Sequence, residues 1–322
     1  MARPLSIAIV LLAAAAAANA QTGPSLMIRP WVELSQANPA VEADQNVLVM
    51  PGAEGERGYD ASISIYETTA RWRLDPAAEH SVTVGFQQTI VDGGSNAVID
   101  LRNRVNQSVA IGIPLAQTDD GWQFALTAGI GYAGNNAYND GDAWYGLGSF
   151  IVSKKLDESS SLQVLLAYDG NRSLWPDVPL PAVSYNKKVN DQLAYSLGLP
   201  YSSVVWRPIE KLTLAASYVL PTSARASATY ELLDTLDVFA SYDRALYVFH
   251  DNNLSGTRRV FFSHQRVEGG LRWRPCEYVD GVIAGGLAFE QEYQRGYDVR
   301  DLHNSAGLDD APYVRFAVNV RF

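Results

Sequence analysis

Apolar and polar residues alternate along most of this chain with a period of two. From Trp122 to Tyr132, for example, apolar side chains occupy every second position opposite a glutamine, a threonine and two glycines. Successive side chains of a β-strand point to opposite sides, so this pattern predicts strands with one apolar face. Without intervening helical periodicity, it predicts a single all-β domain. The segments number fourteen: 26–36, 60–75, 80–92, 104–116, 121–134, 144–156, 160–171, 200–209, 211–220, 224–233, 235–248, 259–275, 279–294 and 311–322.

The connections between these segments alternate in length. The longer ones are 37–59, 93–103, 135–143, 172–199, 249–258 and 295–310, whereas the connections between them have five residues or fewer. Connection 221–223 alone breaks this alternation, because it is short at a position where a long connection is expected. Transmembrane β-barrels have short periplasmic turns and long extracellular loops. The pattern therefore predicts an antiparallel transmembrane β-barrel of about fourteen strands, with twelve as the alternative and both termini in the periplasm.

The last ten residues separate an apolar face from a polar one. Val314, Phe316, Val318, Val320 and Phe322 share one side, and Arg315, Asn319 and Arg321 lie on the other. This segment resembles the terminal strand of bacterial outer-membrane β-barrels, whose final aromatic residue is read by the barrel assembly machinery. The resemblance implies that Phe322 is the assembly signal. It also implies residence in the outer membrane, in contact with lipid and lipopolysaccharide.

The beginning of the chain has the features of a secretory signal peptide. Arg3 precedes an apolar stretch from Leu5 to Ala18, which the small-residue site Ala18-Asn19-Ala20 follows. The stretch is short of the roughly 20 residues that span a bilayer. We therefore expect cleavage after Ala20, which leaves residues 21–322 as one barrel domain.

Composition narrows the class of protein further. After Ala20 no apolar run reaches the length of a membrane helix, which excludes a helical membrane protein. Removal of Arg3 with the signal peptide leaves 24 basic and 35 acidic residues, a formal charge of -11, which argues against nucleic-acid binding. A soluble β-sandwich would also show alternation. The signal peptide, strand number, loop asymmetry and terminal aromatic residue together favour the membrane barrel.

Two further features support this interpretation. Trp72, Trp206 and Trp273 each end a strand just before a short turn, which predicts a periplasmic aromatic girdle, with ordinary turn punctuation as the alternative. The run from Leu199 to Pro221, L-P-Y-S-S-V-V-W-R-P-I-E-K-L-T-L-A-A-S-Y-V-L-P, is similar to a group of outer-membrane barrel proteins of Gram-negative-type bacteria. That group carries no known activity.

The same alternation assigns residues to the interior. Val267 and Leu271 predict the lipid face of segment 259–275, and Ile283 and Leu287 predict that of 279–294. An arginine or lysine at the lipid midplane costs about 2–4 kcal/mol, so charged residues are expected on the opposite face. The predicted lumen-lining residues are Arg266, Glu268, Arg272, Glu290, Glu292, Arg315, Asn319 and Arg321. We expect the arginines to form one positive wall.

Such a lumen has two interpretations. The charges can create a field across a water-filled pore, which predicts a porin-like channel for small hydrophilic solutes. Alternatively they pair and plug a narrow barrel, which predicts a structural or adhesive protein. In either case segment 172–199 can fold into the mouth or cover the rim.

A barrel hydrolase is a more distant alternative. The sequence contains no nucleophile elbow, no histidine or cysteine cluster with metal-ligand spacing and no phosphate-binding glycine loop. We therefore predict no enzymatic activity, no cofactor and no metal site.

Overall fold

The computed structural model describes residues 40–322 except 77, 79, 80, 97, 136, 137, 221, 222 and 252–258. The predicted signal peptide (1–20) and the predicted strand 26–36 lie outside the described residues. The strands are Val41–Gly55 (β1), Tyr59–Arg73 (β2), Thr83–Asp92 (β3), Arg104–Gln117 (β4), Trp122–Asn135 (β5), Trp144–Lys155 (β6), Ser160–Asp169 (β7), Leu180–Lys188 (β8), Leu193–Leu199 (β9), Tyr201–Ile209 (β10), Leu212–Val219 (β11), Ser223–Leu233 (β12), Leu236–His250 (β13), Arg259–Cys276 (β14), Val279–Gly296 (β15), His303–Leu308 (β16) and Ala311–Arg321 (β17). Two 3₁₀ turns, Glu56–Gly58 and Gly141–Ala143, lie between strands.

The strands close into a single antiparallel barrel. Each strand from β1 to β15 pairs with the next, β15 pairs with β17, and β17 pairs with β1. Sixteen strands therefore form the ring, and β16 lies outside this count because it continues the line of β17 along β15 and β1. The prediction of an antiparallel barrel is confirmed, whereas the predicted count of fourteen is wrong.

Thirteen of the fourteen predicted segments correspond to ring strands, and the other three ring strands lie in segments that the sequence assigned to loops. Strand β1 falls within 37–59, and β8 and β9 form a hairpin within 172–199. Strand β1 contains Pro51 and Gly52, which sits at a positive φ of 63° beside a register shift. Strand β8 contains Pro181, and β9 has only seven residues. Proline within a run argues against a strand, so these segments lacked the usual signal.

The two ends of the barrel differ. One end, here the turn end, carries both ends of the described chain and the connections 118–121, 156–159, 189–192 and 277–278. The opposite end, here the loop end, carries 93–103 and 170–179. Trp72, Trp122, Trp206 and Trp273 all lie at the turn end with exposed side chains. The tryptophans that the sequence singled out therefore share one end of the barrel.

The outer surface is apolar over much of its height. Exposed large apolar side chains occupy alternate positions of neighbouring strands: Val109, Ile111, Ile113, Leu126, Ile130, Leu162, Val164, Leu166, Ile283, Leu287, Val314, Phe316 and Val318. No helix in the described part of the chain is long and apolar enough to cross a membrane.

Phe322 lies at the seam where the barrel closes. Its carbonyl accepts a hydrogen bond from Val41 N (3.1 Å), its amide donates to Val41 O (2.8 Å), and its ring stacks on Tyr278 at 6.1 Å. We expect deletion of Phe322 to lower the amount of assembled barrel and to leave export intact, because two seam hydrogen bonds and the terminal aromatic residue are lost together. Quantitative blotting of membrane and soluble fractions measures this. Phe322→Tyr is the control, and normal membrane levels of the truncated chain would contradict the expectation.

Candidate functional site

The inner face of the barrel carries a wall of paired charges from β12 to β17 and on to β2. Residues that face each other across antiparallel strands project on the same side. Arg225, Asp243 and Arg266 form one such row across β12, β13 and β14. Arg266 donates to the Asp243 carboxylate, and both side chains are nearly buried.

A second pair lies closer to the turn end. Arg315 donates through Nε (2.9 Å) and Nη2 (2.6 Å) to the two carboxylate oxygens of Glu268. Ser241 and Tyr313 donate their hydroxyls to the same carboxylate, each at 3.0 Å. Four hydrogen bonds satisfy this buried acid and fix the Arg315 guanidinium along the wall.

Acidic residues also bind two further predicted residues of this wall. Asn319 Nδ2 donates to Asp44 at 2.7 Å, and Arg321 Nη2 donates to Asp280 at 2.6 Å. Arg272 lies on the same face, in register with Asp237. The arginines therefore alternate with carboxylates, and the expected single positive wall does not form.

Glu290 and Glu292 lie elsewhere than predicted. Ser263 pairs with Glu292 and Gln265 with Phe289, so β15 has an extra residue at this point, and Glu290 adopts a positive φ of 47°. The bulge reverses the alternation of the strand. Gln291 and Tyr293 are buried in consequence, and both glutamates are exposed on the outside, where Gln265 donates to Glu290. Their assignment to the lumen is wrong.

Apart from Arg104 and Asp169 near the loop end, the buried residues of the opposite inner wall are uncharged, and many of them are small. Its buried members on β4 to β11 include Asn106, Ser108, Ala110, Ala125, Thr127, Ser149, Ala167, Ser196, Val205 and Ser217. Hydroxyl and amide groups on one side thus face charges on the other.

The β13–β14 hairpin leaves the barrel wall near its tip. All side chains of 247–249 and 259–262 are buried, although a strand in a barrel wall has one outward face. We call residues 247–250 and 259–262 the hairpin tip. Tyr247, Phe249, Val260 and Phe262 belong to an apolar cluster with Leu48, Met50, Ile63, Ile65, Val91, Tyr293 and Leu308, here the mouth cluster. Strand β13 also contacts β4, β5 and the 3₁₀ turn Gly141–Ala143, which are not its neighbours in the ring. The hairpin tip therefore folds inward across the loop end.

Hydrogen bonds hold the hairpin tip on both sides. Tyr247 Oη donates to Glu67 of β2 at 3.2 Å. On the other side Arg104 donates to Asp251 (3.1 Å) and to the His250 carbonyl (3.3 Å), and Asn171 Nδ2 donates to the Val248 carbonyl (3.1 Å).

The buried Arg259 extends these connections to the loops. It donates to the carbonyls of Arg172 (3.0 Å) and Tyr297 (2.8 Å). Burial lowers the pKa of the neighbouring Arg172 guanidinium, and the Asp169 carboxylate acts in the opposite direction. The contacts with Asn171 and Arg172 place connection 170–179 beside the mouth, whereas most of the remaining segment up to 199 forms strands β8 and β9 of the barrel wall.

The sequence contained a signal for this hairpin that the strand pattern alone did not use. Leu246 to Phe249 and Val260 to Phe262 are continuous apolar runs within otherwise alternating strands. Such runs are typical of strands that are buried on both faces. The sequence therefore indicated that the hairpin tip is buried, but it did not indicate which surface covers the tip.

The histidines take different positions. His264 is fully buried beside Tyr247 and Phe262, and His303 Nδ1 lies 2.8 Å from the Asp301 carbonyl. His250 contributes its carbonyl to Arg104, and His80 lies outside the described residues. The absence of catalytic activity stays a prediction.

Comparison with known proteins gives only distant likenesses. No family model and no curated protein sequence matches the chain. The toluene transporter TodX of Pseudomonas putida has a TM-score of 0.40 and 10% identity, over 88% of this chain and 92% of that one. For the outer-membrane protein OmpT of Vibrio cholerae the values are 0.30 and 10%, over 88% and 98%. For the outer-membrane protease OmpT of Escherichia coli they are 0.25 and 10%, over 88% and 97%. These similarities are too low to carry an argument about activity, and the closed barrel rests on the strand pairing of the chain itself.

Proposed function

We propose that this protein is an outer-membrane barrel that acts as a porin-like channel for small hydrophilic solutes, and that the hairpin tip closes it in the conformation described here. The apolar outer surface supports the location, because alternating outward apolar residues suit a lipid environment. The tryptophans at the turn end suit a membrane interface. With the turn end in the periplasm, both ends of the described chain lie there too, and lipopolysaccharide surrounds the loop-end part of the apolar outer surface.

The polar interior is the observation that supports a channel. Small eight-stranded barrels are filled by side chains, whereas barrels of 16–18 strands enclose an aqueous channel. Between the mouth cluster and the turn end, this barrel presents paired charges on one wall, and serine, threonine and asparagine among small apolar residues on the other. Fixed charges and hydroxyls suit hydrated polar solutes rather than apolar ones.

The mouth cluster favours a second candidate, a structural barrel with a permanent plug. Its residues from β1, β2, β13 and β14 are almost all fully buried, as in the core of a soluble protein. The two candidates differ in whether the hairpin tip leaves its position.

Conductance in planar lipid bilayers separates the two candidates. We expect the purified barrel to show brief openings, and a variant with a released hairpin tip to conduct steadily. A difference in gel mobility between the unheated and the boiled sample shows that each protein is folded. Folded samples of both proteins that never conduct would overturn the channel and support the plugged barrel.

A further inference from the structure

Two arginines of the charged wall, Arg225 and Arg272, lack the ion pair that their neighbours have. Arg266, Arg274, Arg315 and Arg321 each form an ion pair with a carboxylate on the wall. Arg225 forms no hydrogen bond or ion pair with any residue in the described part of the chain. Its cross-strand neighbour Asp243 is already bound by Arg266, so two guanidinium groups share one carboxylate.

The surroundings of Arg272 differ from those of Arg225. Arg272 too is without an ion pair among the described residues, and its neighbour Asp237 is bound by Arg274 at 2.6 Å. However, the Asp280 carboxylate also acts on the Arg272 charge, and the row continues past Asp237 with another acid, Glu231. The neighbour of Arg225 on the other side is Ser217, and the two carboxylates that act on its charge, Asp243 and Glu268, are both bound by other arginines.

Hydroxyl groups continue the row on that side. Ser217 pairs with Ser203, Ser203 with Ser196, and Ser196 with Asn186, so four polar side chains follow Arg225 across β11 to β8. Ser196 is 4% exposed, and its hydroxyl has no hydrogen-bond partner in the structure. A buried hydroxyl without a partner costs free energy, and a ligand hydroxyl in the lumen can remove that cost.

We infer that this row is a binding site for a small hydroxylated carboxylate of the sugar-acid type. The planar Arg225 guanidinium suits a carboxylate because it offers two parallel N–H donors. Ser217, Ser203 and Ser196 then accept from and donate to the hydroxyls of the same molecule. The inference deepens the proposed function by naming its solute class, and it requires only that the solute enters from the turn end, away from the mouth cluster.

Equilibrium binding tests the site without requiring conductance. Isothermal titration of the folded full-length barrel in detergent uses D-gluconate as the probe, with propionate as a carboxylate that lacks hydroxyls. We expect gluconate to bind and Arg225→Gln to weaken it at least tenfold, with Arg225→Lys in between. Ser196→Ala and Ser217→Ala should weaken gluconate and leave propionate unchanged.

Arg244→Gln is the matched control, because Arg244 is an exposed arginine on the outer side of the neighbouring strand. It should bind gluconate as the natural chain does. Gluconate binding that is absent, or equal in the Arg225→Gln and Arg244→Gln proteins, would overturn the site. Equal affinity for propionate and gluconate would overturn the sugar-acid assignment. Because each outcome is a binding measurement, a barrel that binds without conducting would contradict the channel and leave the site standing.

Discussion

Replacing Phe249 and Phe262 together with serine should convert brief openings into a steady conductance. Both rings are completely buried in the mouth cluster and hold the hairpin tip against β1 and β2. Truncating a buried phenylalanine costs about 3–5 kcal/mol, so the double change removes most of the apolar stabilisation of the inward position. Single-channel recording in planar bilayers measures the open fraction.

The control for this variant makes the same kind of change outside the mouth. Leu156 and Val189 are exposed in turns at the opposite end, so Leu156→Ser with Val189→Ser should leave the open fraction unchanged. A folded Phe249→Ser, Phe262→Ser barrel with the conductance of the natural protein would show that the hairpin tip does not limit flow.

Gly286→Ala should sharply reduce the yield of folded barrel, whereas Gly285→Ala should not. A Cβ atom at Gly286 would collide with the Val267 carbonyl oxygen and lie 2.9 Å from both Glu268 Cβ and Tyr313 Cζ. Since backbone forms part of this contact, a side-chain rotation cannot relieve it, and overpacking of this kind costs about 1–3 kcal/mol or more. At Gly285 the nearest atom is the Tyr313 carbonyl oxygen at 3.7 Å, an ordinary contact.

The fraction folded, measured by gel mobility before heating, and the urea midpoint test this pair. Tyr313→Phe isolates the hydroxyl bond to Glu268 from the steric effect, and it should cost far less than Gly286→Ala. Equal folded yields for the two glycine variants would mean that the tight packing of Tyr313 over Gly286 is absent.

Alternation predicted the strands best where one face is exposed and apolar. Segments 259–275, 279–294 and 311–322 correspond to β14, β15 and β17, because a period of two reports directly on two different environments. The same rule placed Arg266, Glu268, Arg272, Arg315, Asn319 and Arg321 on one side, which is their side in the structure. It failed at Glu290, since one extra residue in a strand reverses every later side chain and leaves no mark in the hydrophobic pattern.

The hydrophobic pattern by itself determined the all-β class, most of the strands and the separation of an apolar from a polar face, because each follows from the local geometry of an extended chain. Three features depended on the tertiary structure. Strands β1, β8 and β9 pair despite weak local signals, since neighbouring strands supply their hydrogen bonds. The pairing of Arg315 with Glu268, and the lack of a pair for Arg225, depend on strand register. The inward fold of the hairpin tip depends on contacts with β2, β4 and connection 170–179, which are far away in sequence and meet it only when the barrel closes.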